Sequence, residues 1–293
     1  MKKFRGLIVP LVTPFRGGEV DLLSLKRIID NCVEGGADGF IALGTTAETP
    51  TLSRGERSKI LRFVKKHSRE KFVIAGAGSN DTAEAAKLAT LTQDAGADGV
   101  LSVCPYYNKP QTSGVIEHFR AVANAVDLPV VLYDVPSRTG IRIGAEATLE
   151  LKKIPNVAGI KEATDDPHYL SQIAATCDDD FALYCGSDSL TLEALKLNAA
   201  GLMSAAANTL PAFFAQILRF YAAGESAKAR KKFERGLPLI RALYSETNPA
   251  GIKYALHLKG FCENSLRLPM REVSENTEKN IADALEAFER DSI

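Results

Sequence analysis

The chain reads GADGFI at residues 36–41 and GADGVL at residues 96–101, two near-copies sixty residues apart. A weaker echo, NAAGLM, occupies residues 198–203. Each copy joins the end of a helical pattern, a glycine or small-residue break, and an apolar run that favours a strand. This order is typical of a helix that leads into a buried parallel strand. The repeat therefore predicts a parallel sheet made of β–α units.

Eight apolar runs of this kind follow one another along the chain. They are residues 7–12, 39–43, 72–76, 99–103, 129–133, 157–161, 181–185 and 201–205. The stretches between them carry apolar residues at helical spacing. Eight such units in roughly 220 residues match an α/β protein of the (β/α)8 or TIM barrel class. On the pattern alone, an open doubly wound sheet remains an alternative.

The strand pattern stops after residue 210, and only helical periodicity continues. We therefore expect residues 1–224 to form the barrel catalytic domain and residues 225–293 to form a C-terminal helical domain. Helices outside a barrel ring often cover its mouth or build a contact between subunits.

Composition limits the classes of partner. Thirty-six basic residues balance thirty-six acidic ones, so no overall field attracts nucleic acid or an anionic membrane. We expect a small-molecule substrate and another copy of the chain as partners. The five scattered cysteines form no C-x-x-C pair and are interpreted as reduced thiols in a cytoplasm. The first apolar stretch is broken by prolines, which argues against a secretory signal, and no segment approaches the ~20 apolar residues of a membrane span.

The active site of such a barrel lies at the carboxyl ends of its strands, so the residues directly after each apolar run are the candidates. These positions bring together one lysine with several hydroxyl side chains and few carboxylates. They include Thr45, Thr46, Tyr106, Tyr107, Asn108, Tyr133, Asp134, Lys161, Glu162, Gly186, Ser187, Asp188 and Asn208.

Lys161 ends the otherwise apolar run VAGIK at residues 157–161. A lysine in water has a pKa of about 10.4, so a nucleophilic lysine must be partly desolvated at neutral pH. The apolar strand supplies that desolvation, and tyrosine and threonine hydroxyls can pass the protons that imine formation moves. The sequence thus favours imine chemistry at Lys161. The alternative is an ion pair between Lys161 and Glu162 at a wet strand end.

Other chemistries have weaker signals. None of the four histidines stands at metal-ligand spacing, so we expect no metal and no cofactor. GAGSND at residues 76–81 lacks the third glycine of a dinucleotide loop, and we interpret it as a turn that caps the next helix. The strand-end carboxylates give no clear acid pair for glycoside hydrolysis. GSDS and AANT, after the last two strands, could hold a phosphate on backbone N–H groups, but no basic side chain accompanies them.

Seven motifs along the chain resemble the dihydrodipicolinate synthases, class I aldolases of the N-acetylneuraminate lyase superfamily. They are GTTAET (44–49), CPYYNKP (104–110), LYDVPSRTG (132–140), GIKEAT (159–164), CGSD (185–188), NPAGIKYAL (248–256) and LRLPM (266–270). The resemblance implies condensation of pyruvate with L-aspartate 4-semialdehyde to give 4-hydroxy-tetrahydrodipicolinate, in diaminopimelate and lysine biosynthesis. It also implies a homo-oligomer, with a homotetramer built as a dimer of dimers.

The resemblance implies a role for each matched residue. Lys161 would form the Schiff base with the keto carbon of pyruvate, and Tyr133 would relay protons. Thr45 would link Tyr133 to Tyr107, which in this family reaches in from a neighbouring subunit. Thr45 and Thr46 would hold the pyruvate carboxylate.

Three further positions match substrate-binding residues of the family. Arg138 would grip the carboxylate of the aldehyde substrate through two hydrogen bonds. Its alternative is a surface arginine that stabilises its loop through Asp134. Gly186 and Met203 match positions whose backbone borders the pyruvate site, where a close approach favours small groups.

The chain departs from the family pattern next to the catalytic residues. Ala47 stands where glycine is usual, and a positive φ there would cost about 1 kcal/mol. Asp134 stands where asparagine is common, so we expect an added negative charge beside Tyr133.

A further departure concerns regulation. Asn80, Glu84 and Tyr106 match a lysine-inhibitor site, but Arg54 and Arg57 replace two histidines there. Fixed cations oppose the approach of a lysine ammonium group, so we expect no feedback inhibition.

Two other functions stay open at this point. A 2-keto-3-deoxy sugar acid aldolase would use the same lysine on a different aldehyde. A non-catalytic relative would bind a keto acid without turning it over.

Overall fold

The computed structural model describes residues 4–290. Ten strands occur within them: β1 (Gly6–Pro10), β2 (Phe15–Arg16), β3 (Glu19–Val20), β4 (Gly39–Ala42), β5 (Phe72–Gly76), β6 (Gly99–Val103), β7 (Val130–Asp134), β8 (Val157–Glu162), β9 (Ala182–Cys185) and β10 (Gly201–Met203). All except β2 and β3 pair in parallel around a closed barrel, in the order β1-β10-β9-β8-β7-β6-β5-β4. Because β1 pairs with both β4 and β10, the predicted TIM barrel is confirmed and the open sheet is excluded.

Helices alternate with the barrel strands and then continue alone after the last strand. In the described residues they are α1 (Leu22–Glu34), α2 (Arg54–His67), α3 (Thr82–Asp94), α4 (Thr112–Asn124), α5 (Pro136–Thr139), α6 (Gly144–Leu151), α7 (Pro167–Ala174), α8 (Thr191–Lys196), α9 (Pro211–Ala222), α10 (Ser226–Leu243), α11 (Ala250–Leu258) and α12 (Glu275–Arg290). Asp81 caps α3 by accepting a hydrogen bond from the N–H of Ala83, so the turn interpretation of residues 76–81 is confirmed. Between residues 4 and 290, no helix has the length and apolar character needed to cross a membrane.

The aspartates of the GADG repeat form hydrogen bonds between neighbouring strands at their amino ends. Gly36 has φ +94°, and the equivalent glycine of the second copy has φ +89°, so each ends its helix in a conformation that favours glycine. Asp38 then accepts a hydrogen bond from the N–H of Leu7 at 2.8 Å. In the second copy Asp98 accepts one from the N–H of Val73, also at 2.8 Å. Each copy therefore fixes its strand against the preceding barrel strand.

Alternation along the strands divides the side chains between the barrel interior and the helix layer. The inner cluster includes Phe4, Ile8, Ile41, Ile74, Leu101, Val131, Tyr133, Tyr184 and Met203. At the carboxyl end, Tyr133 of β7 is the register partner of Lys161 of β8, and the next pair is Asp134 with Glu162. The first pair faces the interior, and the second therefore faces the helices.

The helices after α9 pack onto the barrel rather than standing apart from it. Buried residues of α10, α11 and α12, such as Phe233, Ile252 and Ile281, belong to the same apolar cluster as the helix layer of the barrel. The division of the chain into two domains at residue 225 stays a prediction.

Candidate active site

Lys161 is buried at the mouth of the barrel. The residue is 6% exposed, and its Nζ lies 4.3 Å from the centroid of the Tyr133 ring. Glu162 points to the opposite face of β8, where its carboxyl oxygens have no hydrogen-bond partner among the described residues. The alternative ion pair between Lys161 and Glu162 is therefore wrong, because strand alternation separates the two side chains.

Gly186 gives the Lys161 side chain its space. A Cβ added to Gly186 would lie 2.8 Å from the Lys161 Cε and 2.8 Å from the Ala163 Cβ. The N–H of Gly186 donates to the carbonyl oxygen of Glu162 at 2.7 Å, which fixes this approach. A larger residue here would displace the lysine.

A cavity of about 730 Å³ surrounds Lys161 at the carboxyl ends of the strands. Seven of the eight predicted catalytic and substrate-binding residues line it: Thr45, Thr46, Tyr133, Arg138, Lys161, Gly186 and Met203. Tyr107 does not. The space thus combines one amine, several hydroxyl groups and the guanidinium groups of Arg138 and Arg241 around a single volume.

A second cavity, of about 370 Å³, adjoins the first. Both are lined by Thr45, Tyr133, Val135, Arg138 and Asn248. The walls of the smaller cavity are mostly apolar and include Leu43, Leu101, Val103, Pro249 and Met270, with Arg57 and Tyr106 also present. The phenol of Tyr133 therefore borders both spaces.

The threonine pair lies in a short 3₁₀ turn, Thr45–Ala47. Thr46 is 3% exposed, and its Oγ1 accepts a hydrogen bond from Asn248 Nδ2 at 3.1 Å. Ala47 does not have a positive φ, whereas Leu43 (φ 58°) and Glu48 (φ 53°) do. The cost considered for alanine at position 47 therefore does not arise, because the left-handed residues flank the turn.

Arg138 is exposed at the cavity and tied to the helical extension. Its Nη2 donates to the carbonyl oxygen of Asn248 at 2.8 Å. The alternative tether through Asp134 is wrong, because Asp134 points away from the cavity. Asn248 contacts both Arg138 and Thr46, a role that its place in the NPAGIKYAL motif did not predict.

Asp134 and Glu162 form a buried carboxyl pair behind the catalytic face. Asp134 Oδ2 accepts hydrogen bonds from the N–H of Ile143 and the hydroxyl of Tyr169, both at 2.9 Å. Burial raises the pKa of Asp134 to about 6, and burial together with the neighbouring Asp134 raises the pKa of Glu162 to about 9. Burial therefore favours the protonated form of Glu162. The expectation of a negative charge beside Tyr133 is wrong, because that charge faces the helix layer.

The helical extension also supplies part of the wall of the larger cavity, which the sequence pattern did not predict. Tyr244, at the end of α10, donates to Asp188 Oδ2 at 2.6 Å, and both line the larger cavity. Burial raises the pKa of Asp188, although its hydrogen bonds oppose this. An amphipathic helix gives no local sign of which distant loop its residues will meet.

Comparison with known proteins places this geometry in a family. The model of the Dihydrodipicolinate synthetase family matches residues 3–288. A 4-hydroxy-tetrahydrodipicolinate synthase of Methanosarcina barkeri is 42% identical over 96% of this chain and 97% of its own length, and one of Syntrophus aciditrophicus is 39% identical over 97% and 98%. The chain belongs to this family.

A solved structure agrees with that assignment. The chloride-inhibited dihydrodipicolinate synthase of Acinetobacter baumannii, complexed with pyruvate, superposes with a TM-score of 0.95. It is 34% identical and covers 98% of this chain and 99% of that one.

In this member of the dihydrodipicolinate synthetase family, Tyr107 stands outside the cavity of its own chain. The residue is 88% exposed and has φ 73°. The N–H of Asn108 donates to the carbonyl oxygen of Tyr106 at 2.9 Å, which closes a γ-turn around Tyr107. The uncommon backbone conformation thus exposes the phenol of Tyr107 to solvent.

Of the residues matched to a lysine-inhibitor site in the family, Tyr106 lines the smaller cavity, next to Arg57. Arg54 Nη2 donates to both carboxylate oxygens of Glu84, at 3.0 and 2.9 Å. Asn80 accepts a hydrogen bond from Asn108 through its carbonyl oxygen, and Tyr106 is 37% exposed. The only acidic member of the matched set is therefore paired with an arginine of the same chain.

No group of three or more histidine, cysteine, aspartate or glutamate residues that could hold a metal ion occurs within residues 4–290. The absence of a metal or cofactor from the reaction stays an expectation.

Proposed function

We propose that the protein condenses pyruvate with L-aspartate 4-semialdehyde through a Schiff base on Lys161, giving 4-hydroxy-tetrahydrodipicolinate for diaminopimelate and lysine biosynthesis. The observation that carries this proposal is the Lys161 amine, buried at the barrel mouth above the Tyr133 ring. The names of the two relatives, 4-hydroxy-tetrahydrodipicolinate synthase, support it. We place the reaction in the cytoplasm, since all five cysteines are free thiols.

The first half of the reaction activates pyruvate. The neutral Lys161 amine adds to the keto carbon, and loss of water gives the imine. Removal of a proton from the methyl carbon converts the imine into an enamine. Tyr133 moves these protons, while the hydroxyl and backbone N–H groups of Thr45 and Thr46 hold the pyruvate carboxylate.

The second half forms the ring. The enamine carbon attacks the aldehyde carbon of aspartate semialdehyde, and the resulting alkoxide takes a proton to become the hydroxyl group. The amine of that substrate then attacks the imine carbon and displaces Lys161, which leaves as the free amine. Each step uses groups that line the same cavity.

Arg138 should determine the choice of aldehyde. Replacing Arg138 by leucine removes the charge-assisted hydrogen bonds to the carboxylate of aspartate semialdehyde. The KM for this substrate should therefore rise about 10- to 100-fold. The KM for pyruvate should stay within about twofold, because its carboxylate is assigned to the threonine turn. Steady-state kinetics with each substrate varied in turn would measure both values.

The same assay separates the proposed function from its nearest alternative. Wild-type protein supplied with pyruvate should turn over aspartate semialdehyde efficiently and an uncharged sugar aldehyde poorly. Efficient turnover of only the sugar aldehyde, with no effect of Arg138→Leu, would identify a 2-keto-3-deoxy sugar acid aldolase instead.

We propose further that the protein is a homotetramer built as a dimer of dimers, in which Tyr107 of one chain enters the smaller cavity of its partner. Two observations support this arrangement. Tyr107 projects from a γ-turn, and the mostly apolar smaller cavity borders Thr45 and Tyr133. A phenol inserted there would connect the proton relay to solvent.

Tyr107→Phe should lower kcat about 10- to 100-fold, because it removes one hydroxyl from the relay. The sedimentation coefficient should not change, since the ring that fills the cavity is kept. An assay combined with sedimentation velocity would test both points. A fully active monomer would contradict the assignment of Tyr107 to a shared site.

We also propose that lysine does not inhibit this enzyme. The Glu84 carboxylate is held by Arg54, and Arg57 adds a second cation at the edge of the cavity. Initial rates should be equal with and without millimolar lysine. Inhibition that disappears in Glu84→Gln would show that the ammonium group displaces Arg54 after all.

A further inference from the structure

Glu48 directly follows the threonine turn and is held in an uncommon conformation. Its backbone is left-handed, with φ 53° and ψ 37°, which a residue with a Cβ rarely adopts. Its side chain is only 1% exposed. A strained backbone and a buried charge at one position require surroundings that hold them in place.

The partners of the Glu48 side chain all come from the helical extension. Glu48 Oε1 forms an ion pair with Lys253 Nζ of α11, and Oε2 accepts a hydrogen bond from the N–H of Arg267 at 2.9 Å. Lys253 has a fully buried side chain, and its Nζ also donates to the carbonyl oxygen of Ser265 at 2.8 Å. The ammonium group lies 4.2 Å from the centroid of the Phe15 ring. Both charges are thus enclosed and hydrogen-bonded.

The same extension contacts the turn a second time. Asn248 Nδ2 donates to Thr46 Oγ1 at 3.1 Å, and the Asn248 carbonyl oxygen accepts from Arg138. The Thr13 hydroxyl fixes the end of the turn by donating to the carbonyl oxygen of Ala47 at 2.9 Å. The turn is therefore held by contacts on several sides, and one of these contacts is the buried Glu48–Lys253 ion pair.

Stability alone does not explain this ion pair. Burying two charges removes their hydration, and an apolar pair of similar volume is often as stable or more stable. Burial lowers the pKa of Lys253, and the adjacent Glu48 carboxylate opposes that shift. What an apolar pair would not supply is a directional contact at a fixed distance between the turn and α11.

We infer that Glu48 and Lys253 are positioning residues. Their ion pair fixes the position of the Thr45–Thr46 turn relative to Lys161, so that the turn can bind the pyruvate carboxylate. The inference rests on the proposed function, because it assigns the turn to pyruvate. It makes the helical extension part of the active-site framework, although Glu48 and Lys253 themselves do not touch the reacting atoms.

The test uses the double variant Glu48→Gln/Lys253→Met, which leaves no unpaired buried charge. We expect a melting temperature close to that of the wild type, a fall in kcat of about 10- to 100-fold and an equal slowing of borohydride trapping of pyruvate on Lys161. The single variant Glu48→Asp keeps the charge but shortens the tie by one methylene group, so it should also trap pyruvate more slowly. Glu48→Asp/Lys253→Arg restores the length of the tie and should recover part of the rate.

A control is the ion pair between Lys65 and Asp98, which lies at the amino ends of the strands and is about one third exposed. Lys65→Met/Asp98→Asn should change stability without changing the trapping rate. Wild-type trapping rates in both Glu48→Gln/Lys253→Met and Glu48→Asp would overturn the inference while leaving the proposed function intact. Absence of trapping in the wild type would instead overturn the proposed function.

Discussion

Replacing Lys161 by alanine should lower kcat for the condensation by about 10⁴-fold or more, because the nucleophile that forms the imine is lost. The fold should survive, since the residue lies at a cavity rather than within the packed core. Pyruvate should still bind weakly through the threonine turn. Initial rates at saturating substrates, with circular dichroism as the check on folding, would measure the effect.

Lys161→Arg is the informative companion variant. It keeps a cation at the barrel mouth, but a guanidinium group stays protonated and does not form the imine. Its rate should therefore be as low as that of Lys161→Ala. If either variant kept more than about one hundredth of the wild-type kcat, an imine at this position would not be the route.

Tyr133→Phe should lower kcat by about 10²- to 10⁴-fold, the range for loss of a general acid–base group. The ring under the Lys161 Nζ is kept, so the burial of the lysine should change little. Both imine formation and the later proton transfers should slow. The rate of borohydride trapping and the overall kcat would be measured side by side.

Tyr184→Phe is the matched control for that substitution. Tyr184 belongs to the same inner cluster as Tyr133 but is absent from the lining of both cavities. Removing its hydroxyl should leave kcat within about twofold of wild type. Equal losses in the two variants would point to a general disturbance of the barrel, and a Tyr133→Phe protein of normal activity would remove Tyr133 from the relay.

The barrel could be predicted because its strands are buried on both faces and read as uninterrupted apolar runs. The runs at residues 72–76 and 99–103 coincide with β5 and β6, and the others differ by one or two residues at their ends. The small β2–β3 hairpin was missed, since strands of two residues have no readable period. The pair Gly17-Gly18 between them was its one local signal.

The site could be predicted where it depends on strand ends alone. The barrel gathers those ends, so Lys161, Tyr133 and Gly186 were found from their positions after apolar runs. The side of the sheet to which each side chain points was harder to predict. Asp134 follows Tyr133 in sequence but points to the opposite side of the sheet. Asn248 and Tyr244 were not assigned, since long-range packing of the extension decides which loops they reach.

The most direct measurement treats the protein with pyruvate and borohydride and maps the product by mass spectrometry. We expect one reduced pyruvyl group on Lys161 and none on any other lysine. No covalent adduct, despite measurable pyruvate binding, would contradict it and would favour a non-catalytic keto-acid-binding protein.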